Sequence, residues 1–245
     1  MIITGLFSLA VGLSVGWTGI GGFLLLILFS DFIGLTAGES LFYSFTLFLL
    51  EGLIGSYSWI KKKAFEIKEV FPLCLGSLVG SICGALIGSQ IDGDTIKIVL
   101  YITVLISGLS ILFRDLIIKE NDKSKQITRS SYCVLGVITA LICSISGAGG
   151  PVLVIPILLV LGMESRKALA VAITDSIFIS IPAIIVYGKN FGSTESYMIF
   201  IVALIFHFVG LIIANKTSDI IKASFLKYFI AIFSIAFSII KVVML

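Results

Sequence analysis

Ionisable side chains stand in stretches of the chain that are otherwise apolar. Glu39 and Glu51 share one such stretch, and Asp175 and the only histidine, His207, lie inside two others. Because an ionisable side chain at the centre of a bilayer costs about 2.5 kcal/mol or more, its presence there indicates a functional role. All four are candidates for carrying a proton. Burial favours the neutral, protonated form of an acid, and a neutral carboxyl group does not repel an anion beside it. The alternative is structural: the acids cap helix amino termini, and His207 donates one hydrogen bond to a neighbouring helix.

Two similar glycine clusters form a second candidate site. Gly19-Ile20-Gly21-Gly22 and Gly147-Ala148-Gly149-Gly150 share the pattern G-x-G-G, and an apolar run follows each. A helix that restarts after such a cluster presents backbone N–H groups and a positive dipole end, which favour an anion. The residues expected to contact the anion carry such N–H groups or a nearby hydroxyl: Thr18, Gly19, Gly21, Gly22, Ser40, Ser146, Gly147, Gly149, Gly150 and Thr174. The alternative is that the glycines only permit close helix packing.

The composition indicates what must hold these residues in place. The chain of 245 residues is 58% hydrophobic and 13% charged, with a mean hydropathy of +1.19. A water-soluble surface cannot tolerate so much apolar side chain, so the sequence predicts an all-α polytopic membrane protein. Stretches of roughly 20 residues, enough to cross a bilayer, occur at 37–60, 69–91, 95–114, 168–188, 196–214 and 224–245. Two further apolar segments, 2–30 and 132–162, are longer, and each contains a glycine cluster near its middle.

The same pattern occurs twice along the chain. In each half, a glycine-broken segment is followed by three apolar spans, which predicts two related membrane repeats. The first repeat is 1–114, a polar cytoplasmic linker is 115–130, and the second repeat is 131–245. The register of the span that follows each glycine cluster stays open.

The distribution of the seventeen Lys and Arg residues predicts the orientation of the segments. If all eight segments cross once, eleven basic residues lie on one face and six on the other. If the two glycine-broken segments, 2–30 and 132–162 (segments 1 and 5 of the eight), are re-entrant hairpins, the division is fourteen to three. Lys97, Lys189 and Lys241 are then outside. The stronger bias marks the cytoplasmic face and favours the hairpins. Each half then has an odd number of crossings, so the repeats are inverted and both termini lie outside the cytoplasm.

A longer glycine motif, together with the two clusters, carries a resemblance to a known family. The run over 75–88, Leu-Gly-Ser-Leu-Val-Gly-Ser-Ile-Cys-Gly-Ala-Leu-Ile-Gly, has a glycine at every fourth position, which predicts a seam for close packing, and 209–214 echoes it. In order, spacing and duplication, these motifs resemble the TauE/SafE family of sulfite-exporter-like permeases over nearly the whole chain. The resemblance implies export or uptake of a small sulfur-containing anion such as sulfite or an organosulfonate.

Other classes of function have less support in the residues. The chain has one histidine and no HExxH, P-loop or nucleophile elbow, so the sequence predicts neither enzyme activity nor a cofactor or metal. Two rival hypotheses are a transporter of another solute, such as a carboxylate or a cation held by Glu39 and Asp175, and a passive anion channel. The expected partners are the lipid of the cell membrane, a small anion and protons as coupling ion. The net charge of +3 reflects basic loops and not nucleic-acid binding, and the oligomeric state stays open.

Overall fold

Helices make up most of the part of the chain that the computed structural model describes, and that part contains no strand. That part comprises residues 1–19, 21–61, 63–117, 128–189, 194–217, 228, 231–232 and 235–241. Its helices are α1 (Ile2–Thr18), α2 (Phe23–Ile27) with a π-helical continuation (Leu28–Phe32), α3 (Ala37–Lys61), α4 (Ile67–Gly88), α5 (Gly93–Ile117), α6 (Arg129–Ser146), α7 (Gly150–Val160), α8 (Ser165–Tyr187) and α9 (Thr194–Thr217). The predicted all-α class is confirmed for these residues.

Six of these helices are long and apolar enough to cross a membrane: α3, α4, α5, α6, α8 and α9. Five of them begin and end within three residues of the spans predicted from the sequence. The sixth predicted span, 224–245, lies largely outside the described residues, which are helical at 235–241, and so does most of the 115–130 linker. The sixth long helix is instead α6, the first arm of the second glycine-broken segment.

The glycine clusters divide their segments unequally. α1 has 17 residues, whereas α2 and its π-helical continuation have 5 each, and α6 has 18 residues against 11 in α7. Within the predicted segments 2–30 and 132–162, the helices are interrupted at the glycine clusters, as the sequence indicates, and in both the first helix is the longer one. The first arm continues until Gly19 or Gly147, the first residue whose positive φ ends the α-helix. With a rise of about 1.5 Å per residue, either first arm reaches most of the way across a bilayer.

α3 and α8 pack against each other, and α4 and α6 form the most closely packed helix pair. In the first of these contacts, Ser56 Oγ donates a hydrogen bond of 3.0 Å to Thr174 Oγ1. In the second, a Cβ on Gly80 would collide with the backbone of Val137, and those on Gly76 and Gly84 would meet the same helix one turn away on either side. The prediction that the four-residue glycine stripe is a packing seam is thus confirmed.

α1 and α9 form another closely packed pair. Trp17 Nε1 donates a hydrogen bond of 3.0 Å to Thr217 Oγ1, and a Cβ on Gly210 would collide with the backbone carbonyl of Leu9. Contacts advance in the same direction along both helices, so α1 and α9 run parallel, as α4 and α6 do. Both parallel pairs therefore join the first arm of one glycine-broken segment to a helix of the other half of the chain.

Ion pairs join helix ends that are distant in sequence. At one end of the bundle, Lys167 Nζ lies 2.5 Å from Glu69 Oε2, and this contact links the starts of α8 and α4. At the other end, Asp31 forms ion pairs with two lysines: Lys97 Nζ lies 2.9 Å from Oδ1, and Lys241 Nζ lies 2.8 Å from Oδ2. Tyr101 donates a hydrogen bond of 3.0 Å to the same carboxylate. The end of the π-helical continuation, the start of α5 and the helical segment 235–241 are therefore held at one level.

We expect Gly80→Ala to destabilise the protein because the new methyl group would overlap the Val137 carbonyl. The overlap should lower the free energy of unfolding by roughly 1–3 kcal/mol. Thermal unfolding of the purified protein in detergent measures the change. Gly38→Ala is the matched control, since a Cβ there has no atom within 4 Å and alanine is the better helix former. Equal melting of Gly80→Ala and the wild type would contradict the close approach of α4 and α6.

Candidate functional site

The two glycine clusters have residues with positive φ at corresponding positions. Gly19 ends α1 with φ 71° and Gly147 ends α6 with φ 66°, and each donates its N–H to the carbonyl four residues earlier. Gly21 and Gly149 follow with φ 120° and 81°, and a new helix begins directly afterwards. Side chains other than glycine rarely adopt these angles, so each cluster is built to break a helix. The sequence-based prediction of a break at each cluster is confirmed.

The two breaks meet at one side chain, the ring of Phe48 in α3. A Cβ placed on Gly22 would lie 2.5 Å from Cε1 of this ring, and one placed on Gly149 would lie 3.2 Å from Cε2 and Cζ. The ring is 3% exposed. Both breaks are therefore covered by protein, as non-helical backbone at membrane depth must be, and the distal edge of Phe48 fills the space between them.

The predicted hydroxyl ligands differ in their surroundings. Ser146 Oγ accepts the N–H of Ala148 at 3.2 Å and so stabilises the second break itself, while Thr174 Oγ1 donates to the Ala170 carbonyl at 2.9 Å. Ser40 is fully buried, and its Oγ has no hydrogen-bond partner among the described residues. The side chain of Thr18 lies outside the described residues. Of the predicted hydroxyl ligands that the structure describes, Ser40 is therefore the one whose hydroxyl makes no hydrogen bond and can still bind a substrate.

Asp175 lies beside the second break. Its neighbour Ser176 would contact a Cβ on Gly150 at 3.4 Å, and Ser77 Oγ of α4 donates a hydrogen bond of 2.9 Å to Asp175 Oδ2. The side chain is fully buried, and Oδ1 has no hydrogen-bond partner within the described part of the chain. A buried carboxyl with one open oxygen can hold a proton or another cation there.

Glu51 and His207 form a second buried acid site, between α3 and α9. His207 Nε2 lies 2.5 Å from Glu51 Oε1, and its other ring nitrogen, Nδ1, lies 3.2 Å from the Ser8 carbonyl of α1. A carbonyl only accepts hydrogen bonds, so Nδ1 carries a hydrogen. The contact on the other side then requires a further proton, on Nε2 or on the carboxyl group. The pair thus lies at a junction of three helices, α1, α3 and α9.

Glu39 occupies a different environment from the other two acids. Thr36 donates to Glu39 Oε2 from its backbone N–H at 3.1 Å and from its hydroxyl at 2.8 Å, and the Glu39 N–H returns a hydrogen bond to Thr36 Oγ1 at 3.3 Å. These reciprocal contacts are a capping box at the amino terminus of α3. Glu39 also lines a cavity of about 520 Å³ with Thr36, Ser89 and Tyr187. The contacts of Glu39 correspond to the capping alternative.

The sequence did not indicate three residues that the fold brings to this site. Phe48 is one of nineteen phenylalanines and has no chemical signature, and Ser77 stands within the glycine stripe interpreted as packing. Ser8 contributes only its carbonyl, which every residue possesses. The duplication of the glycine clusters was the one signal in the sequence that pointed to a residue such as Phe48. If two helix breaks meet inside the protein, a side chain must fill the space between them.

A family model described as sulfite exporter TauE/SafE matches residues 3–240 of the chain. No curated protein and no solved structure matches this chain. The matched range includes both glycine breaks, the two buried acid sites and all six helices long enough to cross a membrane.

Exchange of Glu51 tests the geometry of its pair with His207. In Glu51→Gln, the amide N–H donates to Nε2 and replaces the shared hydrogen bond, so we expect stability within about 1 kcal/mol of the wild type. Glu51→Leu leaves the buried imidazole without this partner and should cost roughly 1–3 kcal/mol. Thermal unfolding in detergent compares the two variants with the wild type. Equal stability of the Glu51→Gln and Glu51→Leu variants would show that Glu51 and His207 do not pair.

Proposed function

The chain belongs to the sulfite exporter TauE/SafE family, a family of membrane transporters, and from that premise we propose that it is a proton-coupled secondary transporter of a small sulfur-containing anion. Sulfite or an organosulfonate is the substrate class, the cytoplasmic membrane is the location, and the protein performs no enzymatic reaction. The single observation that carries the proposal is the meeting of both glycine breaks at Phe48, inside the protein. Backbone N–H groups at such a meeting point are suited to an anion.

Two regularities support an architecture of two repeats. Glycines with positive φ recur 128 positions apart, in the pairs Gly19 and Gly147, Gly21 and Gly149, and Gly34 and Gly162. The parallel helix pairs also correspond, because Gly80 approaches the Val137 carbonyl as Gly210 approaches the Leu9 carbonyl. In this register α1 corresponds to α6 and α4 to α9. Each repeat thus packs its fourth helix on the first arm of the other repeat.

The ion pairs favour re-entrant hairpins over eight plain crossings. Eight crossings would place Lys97 and Lys241 on opposite faces, yet both bind Asp31. They would also separate Glu69 from Lys167, which form a pair. If each glycine-broken segment returns to its starting face, both contacts become contacts within one face. Two hairpins that enter from opposite sides make the repeats inverted, an architecture that recurs in secondary transporters.

Proton coupling is assigned to the two buried acid sites. The Glu51–His207 pair holds a proton between α3 and the α1–α9 pair, and Asp175 holds one beside the second break. Protonation of Asp175 removes the charge that would repel an anion from that break. The open Oδ1 of Asp175 also favours a second candidate, transport of a cation or of another solute with a coupling cation. A passive anion channel requires neither site.

Transport in reconstituted vesicles distinguishes these functions. We expect the wild type to accumulate labelled sulfite or sulfonate when a pH gradient is imposed, with labelled carboxylate as comparison. Asp175→Asn and Glu51→Gln should lose gradient-driven accumulation and retain substrate exchange, because the amides mimic the protonated acids. Glu39→Gln, which preserves the capping box, is the matched control and should keep driven transport. Driven transport retained by both variants would contradict coupling through these acids, and absence of anion flux in the wild type would contradict the proposed substrate class.

The topology predicts which sites meet a membrane-impermeant thiol reagent from each side. In a protein whose four cysteines are replaced, we expect Ser89→Cys to react from outside the cell. Lys63→Cys and Ser130→Cys should react only from the cytoplasm. A cysteine added at the amino terminus is decisive, because hairpins place it on the side of Ser89, whereas eight crossings place it on the side of Lys63. Labelling of that cysteine and of Lys63→Cys from different sides supports the hairpins, and labelling from the same side contradicts them.

A further inference from the structure

Three aromatic rings lead from the cavity to the meeting point of the breaks. Tyr187 is one of the residues that line the cavity of about 520 Å³. The ring of Tyr187 stacks on Phe45 with centroids 6.1 Å apart and an interplanar angle of 5°. Phe45 in turn meets Phe48 edge to face at 5.8 Å. The three side chains are at most 4% exposed, so a continuous aromatic column separates the cavity from the two glycine breaks.

Only Tyr187 in this column is fixed by a hydrogen bond in the described structure. Its hydroxyl donates to the Ser144 carbonyl at 2.8 Å. Phe45 and Phe48 have no polar atoms in their side chains, so ring contacts and packing alone hold them. Rotation of a phenylalanine ring about χ1 breaks no hydrogen bond and requires only space. Phe48, at the end of the column that touches both breaks, is therefore the member that must move before the column can open onto them.

The neighbours of Phe48 are shaped to its ring. Gly22 has no room for a Cβ because Cε1 of Phe48 would lie 2.5 Å away. The position that corresponds to Phe48 in the second repeat, 128 residues later, is Ser176, whose small side chain lies beside Gly150. One bulky ring thus serves both breaks, and the second repeat supplies no counterpart.

The orientation of the ring agrees with an anionic occupant. Cε1, Cζ and Cε2, which form the distal edge, point toward the glycines. The edge of an aromatic ring carries partial positive charge, whereas its face carries partial negative charge. An anion between the breaks would therefore meet the positive edge of the ring and not its negative face.

We propose that Phe48 is the gate and the size-selective residue of the transport path: its ring closes the connection between the cavity and the two glycine breaks, and its displacement admits the anion. This inference rests on the proposed transport function. It assigns to one side chain both the closure of this conformation and the upper limit on substrate size.

Reactivity of Cys143 tests the gate without any transport assay. Cys143 is fully buried, and its Sγ donates to the Gly149 carbonyl at 3.3 Å, directly at the second break. In a background that lacks Cys74, Cys83 and Cys133, we expect Phe48→Ala to raise the rate at which a small water-soluble thiol reagent modifies Cys143 by about tenfold or more. Phe29→Ala is the matched control: it removes a ring of equal size that is fully buried against Tyr43 and lies outside the column. The gate would be overturned if both variants raised the rate of Cys143 modification equally, or if neither variant raised it.

Flux measurements on the same proteins separate failure of the gate from failure of the proposed function. We expect Phe48→Ala to admit larger sulfonates and to dissipate an anion gradient that the wild type maintains. Phe48→Leu, which keeps most of the volume and is the safer variant for folding, should show the same effects to a smaller degree. Wild-type anion transport with unchanged size selectivity in both variants would overturn the gate alone. Absence of anion flux in the wild type and in both variants would overturn the proposed function, whatever the reactivity of Cys143.

Discussion

A helix that breaks inside a bilayer leaves backbone N–H and C=O groups that lipid cannot satisfy, and protein must cover them. The arrangement of this molecule follows from that constraint. α3 passes both breaks and places Phe48 between them, and Ser146 and Cys143 bond to the backbone of the second break. Since each first arm also needs a close neighbour, α1 and α6 pack against glycine-bearing helices of the opposite half. Satisfaction of broken backbone thus determines which helices are neighbours.

Helix positions could be predicted from the sequence because span length and glycine chemistry are local properties. Five spans and both breaks are expressed in runs of apolar residues and in G-x-G-G clusters. Contacts between distant helices are not local, so the pairing of Glu51 with His207 and the position of Phe48 had no sequence signal. The capping role of Glu39 was one of two open alternatives, and Thr36 three residues earlier was the signal that favoured it.

The two halves of the chain pack unequally in this conformation. α4 contacts α8 along much of its length, whereas its counterpart α9 contacts α3 at few positions. Among these positions are the stack of Tyr43 on Phe200, with centroids 4.5 Å apart, and the Glu51–His207 pair. The contact between α4 and α8 is therefore the closer of the two, and that between α3 and α9 is the looser. The Glu51–His207 pair lies at the looser of these two contacts.

The pairing of α1 with α9 also has a consequence for biosynthesis. Ser8 and His207, which contact each other, are 199 positions apart in the chain. At about 5–20 residues per second, a ribosome makes α9 roughly 10–40 s after α1. During that interval the face of α1 that contains Gly12 has only lipid or the insertion machinery to cover it, because its neighbour does not yet exist. The yield of correctly assembled protein therefore depends on how quickly the second half is translated and on what protects α1 in the meantime.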